Sequence, residues 1–355
     1  MGPSNGWVKV CLAPAFASVI AAGALVVAQV APSPAPPYGV TGACHVSPIV
    51  DDLDRSARFY HNLIGLDPVP TPSPGPLPWD EDPGHLHLHG MPQAWLRFIG
   101  ARMPGIRCGV ELVEMRGIDR KPVRRRIEDP GAVTLILLVR DLDAAFAKLK
   151  AAGVPVVSTG SAPVSMGSTS RTRAIIVQDP DGHFVELFQP DPLPEAPATN
   201  VIEVRVRLSV ADVERETRLY RDALGLAVRT PGEFAGQPTV LDMMGLPAGA
   251  QYRASMFTVP TTGLTFELID FKGVERRVVR GNIQDPGSTR MQLQVRDVDA
   301  AIAALRQAGG IVVSAGGTTV ELPGRGGATT RVAIVREPCN LFLVLLQAAA
   351  APRPQ

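Results

Sequence analysis

The chain repeats itself at a fixed distance, and this constrains its fold more than any local motif. Residues 126–157, RIEDPGAVTLILLVRDLDAAFAKLKAAGVPVV, return at 282–313 as NIQDPGSTRMQLQVRDVDAAIAALRQAGGIVV, a shift of 156 with no gap. Such a self-match implies one structural unit copied rather than two folds joined. The match runs outward on both sides. GVELVEMRG (109–117) corresponds to TFELIDFKG (265–273), and TRAIIVQDPDGHFVELFQ (172–189) to TRVAIVREPCNLFLVLLQ (330–347). Two halves follow, 43–190 and 201–348, joined by a Pro-rich linker at 191–200 and followed by a tail at 349–355.

Each half is doubled again. HVSPIVDDLD (45–54) aligns with TLILLVRDLD (134–143) at a shift of 89, and the other two copies are RVRLSVADVE (205–214) and RMQLQVRDVD (290–299). Each reads as a strand, an Asp helix cap and a helix, with Leu53, Ala57, Tyr60 and Ile64 at helical spacing behind Asp52. Gly65, Gly153, Gly225 and Gly309 stand where a left-handed residue ends a helix. Short alternating strands follow. The expected fold class is α+β, with four βαβββ modules at 43–115, 132–190, 201–271 and 288–348.

The stretches DDLDRSARFYHNLIGL, ADVERETRLYRDALGL and QDPDGHFVEL resemble the vicinal oxygen chelate superfamily, the group of glyoxalase I, bleomycin-resistance proteins and extradiol dioxygenases. The resemblance covers nearly all of 43–348. It implies paired modules whose sheets curl into two half-barrel domains, each around a cavity, without fixing the reaction.

The resemblance also implies where a cavity metal would be held, by side chains of the first and last strands of each paired module. Carried over, these positions are His45 and Glu111 in module one, and Thr134 and Glu186 in module two. Three of the four suit a divalent Zn, Ni, Mn or Fe ion, so His45, Glu111 and Glu186 form the expected metal set of the first half. Glu186, or else Glu111, is the expected proton-moving residue, with Thr134 lining the cavity. The second half has Arg205, Glu267, Arg290 and Val344 at the same positions. Two fixed cations oppose a metal there, so none is expected; Arg205, Glu267 and Arg290 read as a salt-bridge cluster lining that cavity. The family also contains swapped pairings, with module one facing module four and module two facing module three, and each swapped set loses metal-binding character.

Other features are less specific. GHLHLHG (84–90) reads as a strand with His85, His87 and His89 on one face, and His87 and His89 are candidate cavity residues. The basic runs KPVRRR and ERRVVR occupy the same inter-module connector in each half and read as solvated linkers. Net charge is +1, from 35 basic against 34 acidic residues, which offers no field for nucleic acid. Residues 1–28 have the pattern of a secretory signal, followed by a Pro-rich linker at 29–42. This points to a secreted or periplasmic protein, the alternative being a membrane anchor if the segment stays uncleaved. Export would permit a Cys44–Cys108 disulfide.

The functional expectation is a metal-dependent small-molecule lyase or isomerase of glyoxalase type working in the first half. The alternatives are a metal-free ligand-binding protein of bleomycin-resistance type and a dioxygenase-like oxidoreductase. The partner is a small molecule, the protein a monomer or homodimer.

Overall fold

The computed structural model describes residues 37–70, 77–104, 106–166, 172–195, 199–323 and 329–347. The signal segment, most of the 29–42 linker, the C-terminal tail and the side chain of Cys44, with its disulfide, lie outside the described residues.

Module one comprises β1 (Val40–Val50), α1 (Leu53–Ala57), α2 (Pro83–Leu88), β2 (Trp95–Arg102) and β3 (Gly109–Arg116). Module two comprises β4 (Val133–Val139), α3 (Leu142–Ala151), β5 (Val164–Ser165), β6 (Arg173–Gln178) and β7 (Phe184–Gln189). Module three repeats module one as β8 (Val201–Ser209), α4 (Val213–Arg218), α5 (Pro238–Met244), β9 (Gln251–Thr258) and β10 (Thr265–Lys272). Module four follows as β11 (Thr289–Val295), α6 (Val298–Gln307), β12 (Ile311–Val312), β13 (Val320–Pro323), β14 (Thr329–Arg336) and β15 (Phe342–Gln347). The capping Asp52, Asp141, Asp212 and Asp297 each accept backbone N–H bonds from the first turn of the following helix, as their sequence positions require.

The modules pair in the swapped manner. β1 lies antiparallel against β11, and β4 against β8. One sheet therefore runs β12-β14-β15-β11-β1-β3-β2, with β13 on β14, and joins modules one and four. The other runs β5-β6-β7-β4-β8-β10-β9 and joins modules two and three. Each sheet takes one module from each sequence half. This departs from the assembly on which the metal set His45, Glu111 and Glu186 depends.

The inter-module connectors support the exchange. Val123 N donates to Pro286 O, Lys121 N to Asp285 and Arg277 N to Asp129, so the two connectors bond to each other. Arg125 is buried with its guanidinium on the carbonyls of Gly287 and Val279, and burial lowers its pKa to about 10. The charged residues of the two runs are otherwise largely exposed, as expected of solvated linkers, and Arg125 is the exception. The Arg125 guanidinium satisfies carbonyls that the crossing would otherwise strand.

Strand alternation divides each sheet cleanly. Val46, Val110, Met291 and Leu343 of the first sheet share one apolar core with Leu135, Val185, Val206 and Phe266 of the second. The opposite face of the first sheet carries Ser47, Glu111, Arg290 and Val344, neighbours at period two from that core. Beside them lies a separate apolar cluster containing Leu86, Leu88, Leu96, Val113, Leu322 and Val344.

The expected His strand is a helix instead. Asp82 accepts from the N–H groups of Gly84 and His85, Pro83 holds the first position, and Gly90 follows with φ +68°. An Asp cap, a Pro in the first turn and a left-handed Gly are a complete helix frame. They override the apparent period-two pattern of His and Leu. A Cβ on Gly90 would collide with the carbonyl of Val313, so this glycine lets α2 rest on module four.

Candidate functional site

The first sheet holds an open cavity of about 360 Å³ beneath α2 and β13. Its polar lining is Ser47, Glu111, Arg290, Gln292 and Thr330 from the sheet, with Asp80, His85 and His89 from above. The walls are apolar and include Leu88, Leu96, Phe98, Val113 and Val344. A few converging polar groups in an apolar cleft are the usual make-up of a small-molecule site.

Arg290 organises the polar side. Ser47 and Arg290 are register partners across the β1–β11 seam. The Arg290 Nη2 donates to Glu111 Oε2 at 2.8 Å, and Ser47 Oγ donates to the same oxygen at 3.3 Å. Arg290 Nη1 donates to His89 Nε2. That bond fixes the imidazole, because Nε2 must then accept while Nδ1 donates to His85 O at 2.7 Å. Burial first, and the Arg290 charge second, hold the His89 pKa down to about 3. His89 is a neutral acceptor with both ring nitrogens engaged.

The expected ligand residues are dispersed. His45 and Glu111 do approach, with Nδ1 to Oε1 at 3.9 Å, but His45 bonds Gln292 at 3.0 Å and Glu111 is held by Arg290. Glu186 and Thr134 lie in the other sheet. The four positions brought together in the first sheet are His45, Glu111, Arg290 and Val344. A guanidinium on the carboxylate and an apolar fourth side chain do not fit a divalent ion, which needs several convergent N or O donors.

The polar centre of the second sheet is a buried salt bridge. Arg207 lies opposite Thr134 on β4 and Glu267 on β10. Its Nη1 donates to Glu186 and its Nε to Glu267, each at 2.6 Å, and all three side chains are buried. The two carboxylates hold the Arg207 pKa above its ordinary value against the opposing effect of burial. Tyr252 is buried nearby, its hydroxyl on Gln237 at 3.2 Å and its pKa pushed up to about 12, by burial and then by the Glu267 charge. These carboxylates already have their cation, so this set does not fit a metal either.

Two expectations are corrected here. Glu267 pairs with Arg207, not with Arg205 or Arg290; Arg205 bonds Glu203 at 2.6 Å instead. The partner was one pleat further along β8, on the face that 205 and 207 share. His87, expected in the cavity, is exposed on α2, because a helix sends residues 85 and 89 to one side and 87 to another.

Sequence reasoning missed Asp80. Its N–H and carbonyl both pair with Leu96, and its Oδ2 meets His85 Nδ1 at 2.6 Å. The signal lay in the comparison of modules. Modules one and three share this frame, since Ala235 pairs with Tyr252 as Asp80 does with Leu96. Yet Asp80, His85 and His89 correspond to Ala235, Val240 and Met244.

A further polar cluster lies away from the first-sheet cavity. Glu216, Glu337 and Cys339 are buried, with donor atoms within 4.8 Å of one another. Among the described residues this is the one group of three such side chains close enough to share an ion. Cys339 Sγ donates to Glu216 Oε1 at 3.2 Å, while Glu337 accepts from the N–H groups of Cys339 and Leu341. Burial raises the pKa of both carboxyls and of the thiol, so protons hold the group together. The matching place in modules one and two has Ser56 on Asp181 and Tyr60 on Asp179. The acid has moved from hairpin to helix, which marks a packing contact repeated by the duplication.

Comparison with known proteins agrees with this architecture. The family model described as "Glyoxalase/Bleomycin resistance protein/Dioxygenase superfamily" matches residues 43–187 and 204–345. The chain is similar in structure to glyoxalase I from Zea mays, with TM-score 0.53 and 20% identity over 86% of this chain and 92% of that one. A mutant of the same maize enzyme gives 0.54, again at 20% identity and with the same shares. A genomically encoded fosfomycin resistance protein from Listeria monocytogenes matches at 15% identity, 44% of this chain, 96% of that one and TM-score 0.27. At 20% identity the likeness to the maize enzyme concerns the fold. No curated protein matches.

Proposed function

The chain belongs to the glyoxalase, bleomycin resistance protein and dioxygenase superfamily, and from that premise we propose that it binds a small molecule in the cavity between modules one and four, with Arg290 serving in place of a divalent ion. The observation that carries this reading is the Arg290–Glu111 ion pair at two of the family's ligand positions. A guanidinium offers fixed N–H donors and a permanent charge to a ligand oxygen, without an exchangeable ion. The second sheet, locked by Glu186, Arg207 and Glu267, completes the scaffold. The N-terminal segment directs export, so the ligand is met outside the cytoplasm.

A metal-dependent glyoxalase-type reaction has less support, because its donors fall in two different sheets. Thermal-shift screening of a metabolite panel in excess EDTA tests the proposal. Ligands should stabilise the protein equally with and without chelator, and Val344→Phe, which fills the cavity, should abolish the shift. Stabilisation that requires added Zn, Ni, Mn or Fe would contradict it.

A further inference from the structure

The first-sheet cavity also carries a base. Of the three histidines around α2, His89 has both nitrogens bonded and His87 is exposed. His85 lines the cavity and directs Nδ1 to Asp80 at 2.6 Å. An imidazole tied at Nδ1 to a carboxylate has Nε2 as its free, proton-accepting nitrogen. Both partners are fixed through their backbones. Asp80 is pinned to β2 by two bonds with Leu96, and the N–H of His85 bonds the capping Asp82. Across the same space stands Arg290, a cation suited to a developing oxyanion.

The duplication supplies an internal control. Were Asp80 and His85 needed only to seat α2, the same frame in module three should need equivalents. There α5 sits beside Ala235 with Val240 and Met244 in their places, over a sheet whose polar groups are closed in a salt bridge. The polar set is present over the sheet that holds the cavity and replaced by apolar residues over the sheet whose carboxylates are paired with Arg207.

We propose that His85, positioned by Asp80, is a general base for a small carbon acid whose negative charge develops on an oxygen facing Arg290. This rests on the cavity reading above. The substrate class is an enolisable carbonyl compound or another carbon acid with an oxygen-centred product anion. The step needs no co-reactant: His85 Nε2 takes the C–H proton, the C–H electron pair enters the substrate π-system, and charge accumulates on the oxygen.

5-Nitrobenzisoxazole probes this chemistry directly. Removal of its C3 proton by the base makes the nitrile, breaks the N–O bond and releases a coloured phenolate, the proton remaining on the base until solvent takes it. The full-length protein in EDTA should accelerate this reaction over free imidazole at equal concentration. His85→Ala should lower kcat/KM by about 100-fold, the scale of general-base catalysis. Asp80→Asn, which removes the carboxylate facing His85, should lower kcat while leaving KM unchanged, and Asp80→Glu should restore it, a split that a merely structural role would not produce. Melting temperatures of both variants verify folding, and His85→Gln serves if His85→Ala does not fold. Equal rates for wild type and the His85 variant, or no acceleration by wild type, overturn the proposal. Calorimetric titration with the phenolate product separates the two readings. Binding without acceleration refutes the base and leaves the cavity; absence of binding refutes the cavity as well.

Discussion

Changing Arg207 to Ala tests the salt bridge of the second sheet. In the wild type one guanidinium sits 2.6 Å from each of two carboxylates whose side chains are only 4% and 7% exposed. Removing it leaves Glu186 and Glu267 buried without a counter-charge. Loss of one partner from a buried ion pair costs about 3–5 kcal/mol. The variant limits the loss by protonating at least one carboxyl, since a buried carboxylate without a counter-charge favours its neutral form. A carboxyl whose folded pKa is raised stabilises below its unfolded value, near 4.3, and that contribution fades as pH rises through the folded pKa. The deficit relative to wild type should therefore be small near pH 4 and reach its full size by pH 8. Urea denaturation across that range measures it. Two facing carboxylates without their arginine should also admit a cation: 1 mM Mn²⁺ at a Kd of about 10 μM would restore about 2.7 kcal/mol. A deficit below 1 kcal/mol, unchanged with pH and insensitive to Mn²⁺, would refute the argument that Arg207 occupies a cation's place.

Three further outcomes follow from the same physics. Arg290→His should acquire tight Co²⁺ binding with ligand-field absorption bands, because it places a second imidazole beside His45 and Glu111; Glu111→Gln in that background should lose them. The His89 pKa is depressed to about 3, so its contribution is present above the unfolded value of about 6.5 and lost as pH falls below it. His89→Gln should therefore flatten the acid limb of the stability curve by several kcal/mol, read by denaturation between pH 7 and 4. Glu216 and Glu337 have raised pKa values, so their contribution is lost as pH rises; Glu216→Gln should gain stability on wild type between pH 6 and 9, whereas a constant difference would count against a shared proton.

Much of the fold was legible in the sequence, because four Asp-capped copies with period-two strands permit few arrangements. The pairing was legible too, though it was left open. Pairing modules three and four would set Arg207 opposite Arg290, like charges directly across a strand pair. The swap sets each arginine opposite a hydroxyl, Arg290 on Ser47 and Arg207 on Thr134. The candidate site was less accessible. Glu111, Arg290 and His89 were recognisable as cavity residues, but the partner of Glu267 depended on a two-residue choice along one strand face. The Asp80–His85 contact depended on reading α2 as a helix. Alternating His and Leu suggested a strand, whereas Asp82-Pro83 and Gly90, at the ends of the segment, decided the matter.

The central claim is that an arginine takes the ion's place in the first-sheet cavity. Elemental analysis of the full-length protein, purified without chelator and after dialysis against trace Zn²⁺, Ni²⁺, Mn²⁺ and Fe²⁺, measures it most directly when wild type and Glu111→Gln are compared. The wild type should hold less than about a tenth of an equivalent of metal that depends on Glu111, with ligand binding intact. Close to one equivalent in the wild type, lost in Glu111→Gln, would contradict it.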